Sequence, residues 1–544
     1  MSGNRRLWLR AMLCASLLAG GCTRNEPEPA VGSRDSYPHV LTSTLQIHSL
    51  TVDPNNGIWA ATAGGVLYWR GVSDSPQQWT SAYGLPDNDV ISVNWGKDGV
   101  CAHSVLGNCC LKAGVSVAVM TSDHNCVRTS PQSQRKSTAD LPSGCRPVIA
   151  DVLTPHGELL ASALGLWLRT GDKWSAFSLP SNSPASHVSA LLCIGKVVYA
   201  GLYGDGLYKL QNRIWTRIEL GLSCRYITCL AARAGELVVG TEDHGAICCD
   251  PVGHYAAEVR RLTCPGLPNA DIESIAEWGG YLWLASFGHG IMRLPCDKTD
   301  GKQIAVYSAI KNPRELIPAR GALYCRDADS KLYAYNGVAW RESNLAHLLP
   351  RRDVYCCFVS GGQFYIGGWG GWACVTKSRT ECHFTDANLA GQVVTCIVAH
   401  GTKVWIGTQG KGLLCWDHGS YTEYHEAAGL TDDWVTAISC YGSQTLVGTY
   451  TGGALMLRNG RFTQVLKANG YDVRSIVVSG DGIAYAATPI GTYDCLPGGS
   501  QAWRLLRPDL CGGPEAQCLF TTRHGIWIGG RTSISWVGNS DCGT

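Results

Sequence analysis

One arrangement of apolar and polar positions recurs along this chain. An apolar run is followed by a polar turn, a second run that ends in a small residue, a glycine-containing turn and a third run. The clearest copy reads VVTCIVAHGTKVWIGTQGKGLLCWD and occupies residues 393–417. Short apolar runs of this kind, bounded by glycine and polar residues, indicate β-strands. We therefore predict an all-β fold built from a repeated unit of several strands.

The spacing of the repeat predicts its architecture. The residue at the Trp405 position can be followed through twelve copies, at intervals close to forty residues except for one of 58. These positions are Trp59, Cys101, Leu159, Tyr199, Val238, Trp283, Tyr324, Tyr365, Trp405, Leu446, Tyr485 and Trp527. A period of about forty residues with four strands per copy is typical of β-propeller blades. We predict about twelve four-stranded blades, with the polar stretch 121–143 as a surface insertion, either a mobile loop or a docking arm.

Twelve blades in one ring would leave a wide axial hole, so we predict two rings. A division at residue 306 gives a first propeller at 36–306 and a second at 307–544, each of about six blades; five plus seven is the alternative. The last copy has too few residues for a fourth strand, whereas Tyr37–Ser43 precedes the first copy without a partner. We predict that this N-terminal segment completes the last blade, because pairing the two would remove exposed strand edges.

The best copies resemble a known family. The segments GLTDDWVTAI with TLVGTYTGGALML, and NLAGQVVTCI with VWIGTQGKGLLCWD, resemble the repeats of two-component-regulator propellers. The resemblance extends from about residue 36 to the end of the chain, and it is closest in blades 5, 6, 9, 10 and 12. It implies an extracytoplasmic sensor or binding domain, and it transfers no catalytic residues because the family shares none.

The N-terminus predicts export. Arg5, Arg6 and Arg10 precede an apolar stretch and the small-residue sequence LAGGC that ends at Cys22. Residues 1–22 resemble a bacterial lipoprotein signal peptide, which implies lipidation of Cys22; an ordinary secretory signal is the alternative. Residues 23–35 contain prolines and glutamates and indicate a tether. We therefore expect an exported, membrane-anchored protein, periplasmic or on the cell surface.

Composition and motifs limit the classes of function that the sequence indicates. The net charge of +2 gives no indication of nucleic-acid binding. The 26 cysteines include no C-x-x-C pair, and many, such as Cys229, Cys396 and Cys440, lie in apolar runs. We interpret these as small hydrophobic residues, with several disulfides as the alternative. The sequence contains no G-x-S-x-G, H-E-x-x-H or P-loop motif. We predict no catalytic residues, no metal and no cofactor.

The candidate site follows from propeller geometry. Turns between second and third strands share one face with the connections between blades, and binding loops on a rigid scaffold are common. Reading these turns in register predicts ligand contact by Tyr203, Asp205, His244, Phe287, His289, Trp369, Gln409, Lys411 and Tyr450. The alternatives are that the aromatics pack against neighbouring blades, and that His244 and His289, with Asp205 and Asp243, are solvated rather than bound to a cation.

These inferences predict a lipid-tethered scaffold that binds a protein partner or a glycan at the cell envelope, without catalysis. The alternative is a propeller hydrolase or lyase that acts on an envelope polysaccharide.

Overall fold

Twelve four-stranded antiparallel sheets make up the described part of the chain. The computed structural model describes residues 39–538 except 98, 116–117, 121–146, 164, 182–186, 221–223, 251–256, 263, 265, 296–303, 350, 352, 377–378, 385–387, 468–469, 496–502, 508–510, 514 and 523–524. The predicted signal peptide, Cys22, the tether and the whole insertion 121–143 lie outside the described residues.

Sheets 1 to 4 contain the following strands, in spatial order. Sheet 1 has β2 (Ile47–Val52), β3 (Ile58–Thr62), β4 (Gly65–Trp69) and β5 (Gln77–Trp79). Sheet 2 has β6 (Val90–Gly96), β7 (Gly99–Ser104), β8 (Gly107–Leu111) and β9 (Val119–Met120). Sheet 3 has β10 (Val148–Thr154), β11 (Gly157–Ser162), β12 (Gly165–Thr170) and β13 (Lys173–Phe177). Sheet 4 has β14 (His187–Ile194), β15 (Val197–Tyr203), β16 (Gly206–Gln211) and β17 (Ile214–Ile218).

Sheets 5 to 8 repeat this order. Sheet 5 has β18 (Ile227–Arg233), β19 (Glu236–Thr241), β20 (Ala246–Asp250) and β21 (Ala257–Arg261). Sheet 6 has β22 (Ile272–Trp278), β23 (Tyr281–Ser286), β24 (Gly290–Pro295) and β25 (Ala305–Tyr307). Sheet 7 has β26 (Pro313–Ala319), β27 (Ala322–Asp327), β28 (Leu332–Tyr335) and β29 (Trp340–Glu342). Sheet 8 has β30 (Val354–Ser360), β31 (Gln363–Gly368), β32 (Gly371–Val375) and β33 (Thr380–His383).

Sheets 9 to 11 follow the same pattern, and sheet 12 adds the N-terminal strand. Sheet 9 has β34 (Val394–His400), β35 (Lys403–Thr408), β36 (Leu413–Asp417) and β37 (Ser420–Tyr424). Sheet 10 has β38 (Val435–Tyr441), β39 (Gln444–Thr449), β40 (Ala454–Arg458) and β41 (Arg461–Leu466). Sheet 11 has β42 (Ser475–Val478), β43 (Ala484–Thr488), β44 (Gly491–Cys495) and β45 (Arg504–Leu505). Sheet 12 has β46 (Cys518–Thr521), β47 (Gly525–Gly529), β48 (Ser533–Gly538) and β1 (His39–Thr42). Short 3-10 helices span Ser81–Tyr83, Asn344–Leu348 and Glu426–Ala428.

The predicted all-β propeller architecture is confirmed. Each of the twelve residues aligned with Trp405 lies on the second strand of a different sheet. Eleven of them are buried and Tyr324 is partly buried. Apolar clusters between adjacent sheets account for this burial, and they remove large aromatic and aliphatic areas from water.

The sheets form two rings of unequal size. The first strands of most adjacent sheets contact one another and therefore lie innermost; β18 packs against β2, whereas β46 packs against β22. Sheets 1 to 5 thus form a five-sheet ring, and sheets 6 to 12 form a seven-sheet ring. The prediction of two rings agrees with these contacts, but the division into six and six at residue 306 is wrong. Sheet 5 shares an apolar cluster with sheet 1, so the five-sheet ring ends with sheet 5. The chain therefore crosses to the seven-sheet ring after β21.

Hydrogen bonds between innermost strands mark both closures. Thr228 Oγ1 of sheet 5 donates to the carbonyl of Ile47 in sheet 1 at 2.5 Å. Cys518 Sγ of sheet 12 lies 3.5 Å from the carbonyl of Ile272 in sheet 6. Thr228 is the extra residue of a β-bulge in β18, which turns its side chain out of the ladder and toward the neighbouring sheet. Each ring is therefore closed by polar bonds as well as by apolar packing.

Close contacts at glycine explain the small residue of the repeat. A Cβ atom built on Gly240 would lie 2.8 Å from Cγ2 of Ile47 and 2.4 Å from Sγ of Cys229. A Cβ on Gly407 would be equally close to Cys396. Any larger residue would push adjacent sheets apart. Burial raises the pKa values of the Cys229 and Cys396 thiols to about 12. This agrees with their interpretation as small hydrophobic residues.

The N-terminal strand closes the seven-sheet ring, as predicted. Strand β1 pairs antiparallel with β48, with Leu41 opposite Ile534. The chain then leaves for the five-sheet ring and returns after β21, and the two crossings are adjacent because Ser43 forms a bridge with Gly266. In chain order, the five-sheet ring is therefore inserted between β1, the outermost strand of sheet 12, and all the other strands of the seven-sheet ring. None of the helices in the described ranges is long and apolar enough to cross a bilayer.

Candidate functional site

The nine predicted ligand-contact residues are divided between the two rings. Six are on the seven-sheet ring: Phe287, His289, Trp369, Gln409, Lys411 and Tyr450. Three are on the five-sheet ring: Tyr203, Asp205 and His244. All lie at or beside turns between second and third strands, at the end of each sheet where its inner strand begins. The structure therefore does not place them around one axis, as a single predicted site would require.

Hydroxyl groups fix the shape of these turns. Thr408 Oγ1 accepts the N–H of Lys411 and donates to the carbonyl of Gly412, both at 2.9 Å. The same bond to the turn glycine recurs at Thr241 and Thr449. Gly412 has a φ of 72°, in the left-handed region that favours glycine. The side chains in the middle of each turn are thus presented by a rigid backbone.

Two of the predicted aromatic residues on the seven-sheet ring lie under arginine side chains. Phe287 is half-buried, and Cζ of Arg314 lies 4.5 Å from its ring centroid. Arg314 also forms an ion pair with Glu273 at 2.6 Å. Trp369 is half-buried, and Cζ of Arg351 lies 4.6 Å from its ring. Cation–π contacts of this kind orient the guanidinium and leave its edge able to bind acceptors.

The third predicted aromatic residue on this ring, Tyr450, stacks on another aromatic side chain. Tyr450 is 45% exposed, and its ring stacks on Trp434 with centroids 4.3 Å apart and planes at 17°. Trp434 directly precedes the inner strand of sheet 10, so it and Tyr450 come from different parts of the repeat. On the five-sheet ring, Tyr203 lies 5.4 Å from His187 and 5.1 Å from Tyr226.

We call Phe287, Arg314, Arg351, Trp369, Trp434 and Tyr450 the aromatic–arginine rim. None of these six side chains belongs to the apolar clusters between sheets. Each aromatic instead has a local partner on one side and partial exposure on the other. The sequence did not indicate Arg314, Arg351 or Trp434, because these partners lie on connections or inner strands rather than in the aligned turns.

The predicted polar residues are engaged within the fold. Lys411 Nζ donates to the carbonyl of Asn388 at 3.0 Å and pairs with Glu423 at 3.2 Å. A hydrogen bond from Ser181 and one from Tyr208 lower the pKa of Asp205. These contacts assign Lys411 and Asp205 a role in holding loops together.

His289 and Gln409 differ in how they are held. His289 Nε2 lies 3.4 Å from Nδ2 of Asn269, and its Nδ1 is 3.2 Å from the carbonyl of Phe287. The side chain of Gln409 is exposed. His289 is exposed as well, so both Gln409 and His289 are accessible polar members of the predicted site.

A second cluster lies where the rings meet. Asn88 is fully buried, and its amide donates to the carbonyl of Gly512 in the seven-sheet ring. Burial raises the pKa of the adjacent Asp87 to about 6, with further contributions from the charges of Asp89 and Glu515. A carboxyl group that is neutral in slightly acidic solution can donate a hydrogen bond. The sequence feature that could have indicated this cluster is the motif GLPDND at 84–89, which corresponds to GLTDDW at 429–434.

Replacing Asp87 with asparagine tests this environment. A pKa above the ordinary carboxyl value means that the folded state favours the protonated form. The contribution of Asp87 is therefore fully present below about pH 4, and it is lost as the pH rises through about 6. We expect Asp87→Asn to flatten the stability profile between pH 4 and 6 and to raise stability at pH 7 by about 1–3 kcal/mol. Denaturant midpoints measured across this range would contradict the assignment if both proteins kept the same slope.

No protein-family model matches the sequence, and a comparison with curated proteins finds no match. Solved structures do match. An ancestral GH74 enzyme is 12% identical over 92% of this chain and 99% of its own, with a TM-score of 0.61. The GH74 enzyme of Niastella koreensis is 10% identical over 92% of this chain and 99% of its own, with a TM-score of 0.54. The extracellular domain of a hybrid two-component system from B. thetaiotaomicron is 16% identical over 91% and 75%, with a TM-score of 0.43.

Extracellular domains of two-component systems are among the similar structures. At identities this low the likeness concerns the arrangement of strands. This chain therefore shares the β-propeller fold of the two GH74 structures.

Proposed function

We propose that this chain is an exported, membrane-anchored recognition protein whose aromatic–arginine rim binds a protein partner. The observation that carries the proposal is the partial exposure of Phe287, Trp369 and Tyr450 outside the inter-sheet clusters. Tryptophan, tyrosine and arginine are the residues most enriched at energetic centres of protein interfaces. Their backbones are fixed by the turns, so little conformational entropy is lost when a partner binds.

Charge supports a protein partner over a uniformly anionic ligand. One of the two arginines of the rim is balanced by a nearby acid, since Arg314 pairs with Glu273 at 2.6 Å. A mixed surface of this kind complements the mixed side chains of a polypeptide. A glycan stacked on the same aromatic rings is the other outcome that the experiment below would detect.

Truncating the rim aromatics separates binding from packing. The full-length protein would first be crosslinked in intact cells to identify what it contacts. Trp369→Ala and Tyr450→Ala are then each expected to weaken that binding about 10- to 100-fold, which corresponds to about 1–3 kcal/mol. Their melting temperatures should change little, because neither ring belongs to an inter-sheet cluster. Dissociation constants and thermal unfolding would be measured on the same samples.

Tyr441→Ala provides a matched control. Tyr441 is also in sheet 10 and 47% exposed, but it lies at the other end of β38. It should leave binding intact. Unchanged binding together with a large loss of stability in both rim variants would show that the rim aromatics serve packing.

Anchoring is tested through Cys22. We expect Cys22→Ser to move the protein from the membrane fraction to the soluble exported fraction, because acyl chains on that residue would supply the attachment. The measurement is fractionation with and without high salt. Continued membrane association of the variant after a high-salt wash would contradict lipid anchoring through this residue.

A glycan-cleaving enzyme is the second candidate function. It is favoured by the raised pKa of Asp87 beside the carboxyl groups of Asp89 and Glu515, since glycosidases employ a protonated carboxyl with a second carboxylate. The GH74 structures share only the fold with this chain. Release of reducing ends from envelope polysaccharide by the wild type, but not by Asp87→Asn, would support this candidate over the first.

A further inference from the structure

Three metal-binding side chains converge on the five-sheet ring. Cys224 lies in the connection that precedes β18, and Asp243 and His244 lie in the turn between β19 and β20. One donor atom from each lies within 4.8 Å of the other two. Cys224 is 5% exposed, His244 is half-buried and Asp243 is exposed. The cluster thus has one buried end and one end that faces solvent.

The repeat explains why these residues meet. The third residue before an inner strand contacts the turn between the second and third strands of the same sheet. In sheet 10 this residue is Asp432, which accepts bonds from N and Oγ1 of Thr451 at 2.7 Å. In sheet 6 it is Asn269, which accepts a bond from Ser286 at 2.8 Å and lies near His289. Other sheets thus make ordinary hydrogen bonds at these positions.

Sheet 5 places a thiol, a carboxylate and an imidazole at the corresponding positions. Cys224 takes the place of Asp432 and Asn269, Asp243 takes the place of Thr451, and His244 takes the place of His289. A thiol is a much weaker hydrogen-bonding partner than the amide or carboxylate that it replaces. Hydrogen bonds among these three groups would therefore stabilise the loop little. All three groups are, however, good ligands for a transition metal.

The turn that carries two of the ligands is held in place. Thr241 Oγ1 accepts the N–H of His244 at 2.9 Å and donates to Gly245 at 2.8 Å. Arg261 Nε donates to the carbonyl of His244 at 3.0 Å, and the N–H of Gly245 donates to Leu45 at 2.9 Å. Ligands on a fixed backbone need little reorganisation to bind an ion.

We propose that Cys224, Asp243 and His244 bind a zinc ion on the five-sheet ring. Sulfur and nitrogen donors select zinc over calcium and magnesium, which prefer oxygen ligands. Three protein ligands leave a fourth tetrahedral position for water or for an oxygen or nitrogen of a bound molecule. The sequence had suggested His244 and His289, with Asp205 and Asp243, as cation ligands and favoured no metal at all; neither His289 nor Asp205 is in this cluster.

Proton balance accompanies binding. Burial and the charge of Asp243 raise the pKa of the Cys224 thiol to about 11, so the thiol is protonated in the metal-free protein. The zinc–sulfur bond forms as this proton leaves to solvent. His244 Nδ1 and Asp243 Oδ1 are 2.5 Å apart. His244 would bind the ion as the neutral imidazole through one ring nitrogen, and Asp243 as the carboxylate. The thiolate and the carboxylate then neutralise the charge of the dication.

Cobalt is the probe, because its thiolate complexes absorb by charge transfer. The full-length protein would be treated with a chelator and titrated with Co²⁺, and Zn²⁺ would then be added in competition. We expect one equivalent of Co²⁺ with a thiolate charge-transfer band that Zn²⁺ abolishes. Cys224→Ser should remove the band, and His244→Gln should weaken binding at least tenfold. Zn²⁺ should raise the melting temperature of the wild type and not that of Cys224→Ser.

Two variants serve as matched controls. His289→Gln changes the corresponding histidine of sheet 6 and should leave binding unchanged. Cys264→Ser alters a nearby thiol that lies against Gly245. If this variant retains the thiolate charge-transfer band, Cys224 is the sulfur ligand. A wild type without the band, or a band that persists in Cys224→Ser, would overturn the proposal. Melting of each metal-free variant shows that it is folded, and the result is independent of the aromatic–arginine rim.

Discussion

Replacing Trp283 with alanine is expected to cost about 3–5 kcal/mol of unfolding free energy. Trp283 lies on β23 and is 1% exposed. Its ring centroid is 5.6 Å from that of Tyr307, 5.0 Å from Tyr335 and 6.1 Å from Trp340. Its indole N–H donates to the carbonyl of Trp278 at 3.0 Å. Alanine would leave a cavity between sheets 6 and 7 and would remove the indole hydrogen bond to Trp278, and the rigid sheets cannot close around the cavity.

The measurement is the shift of the denaturant midpoint, with Trp95→Ala as the control. Trp95 is 42% exposed on β6, so the same change there should alter stability by about 0.5 kcal/mol or less. Equal losses in the two variants would mean that the inter-sheet aromatic cluster is not what stabilises this part of the ring.

Removing β1 is expected to have an effect of similar size. Its four residues, His39–Thr42, pair with β48, and Leu41 packs against the apolar cluster shared by sheets 6 and 12. A protein that starts at residue 45 would expose the edge of β48 and the apolar surface beneath it. We expect a loss of about 3 kcal/mol or more and concentration-dependent association through the open edge.

The comparison protein would start at residue 38 and keep β1. A synthetic peptide of residues 38–44 should restore the melting temperature of the truncated protein by adding the missing strand. A peptide with Leu41→Asp should not, since the charge would enter the apolar cluster. Full stability of the truncated protein without any peptide would contradict closure by β1.

Most of the fold could be predicted because the repeat has a local physical basis. Most positions equivalent to Trp405 carry bulky residues that face the next sheet, and the position two residues later usually carries a small residue. Both requirements fall within a few residues of sequence, so all twelve second strands could be located. The unpaired segment before β2 and the incomplete last copy were similarly visible, and together they predicted the pairing of β1 with β48.

The division into five and seven sheets could not be read in the same way. Ring closure depends on which inner strand packs against which glycine. Ile47 packs on Gly240 in one ring and Ile272 packs on Gly529 in the other, with nearly identical geometry. A β-branched residue against glycine also occurs at the junctions within each ring. The sequence therefore contains no local signal that distinguishes a closing contact from a continuing one.

The candidate sites were predicted only in part, for a related reason. Aligning the turns identified Trp369 and Tyr450 but not Arg351 and Trp434, which come from connections of variable length. Cys224 was missed because it lies in such a connection, although Asp243 and His244 in the turn were noted. Side chains that meet across a connection become visible only when the start of the inner strand is known.

The placement of β1 also sets the order in which the molecule can form. During synthesis β1 emerges first, but its partner β48 emerges last, so the two are separated by nearly the whole chain. The five-sheet ring has all of its strands between them and can fold while the seven-sheet ring is still incomplete. Joining β1 to β48 is a contact of very high sequence separation, and such contacts form slowly. We expect the final folding step to be the docking of this strand, with the seven-sheet ring open and prone to aggregation until then.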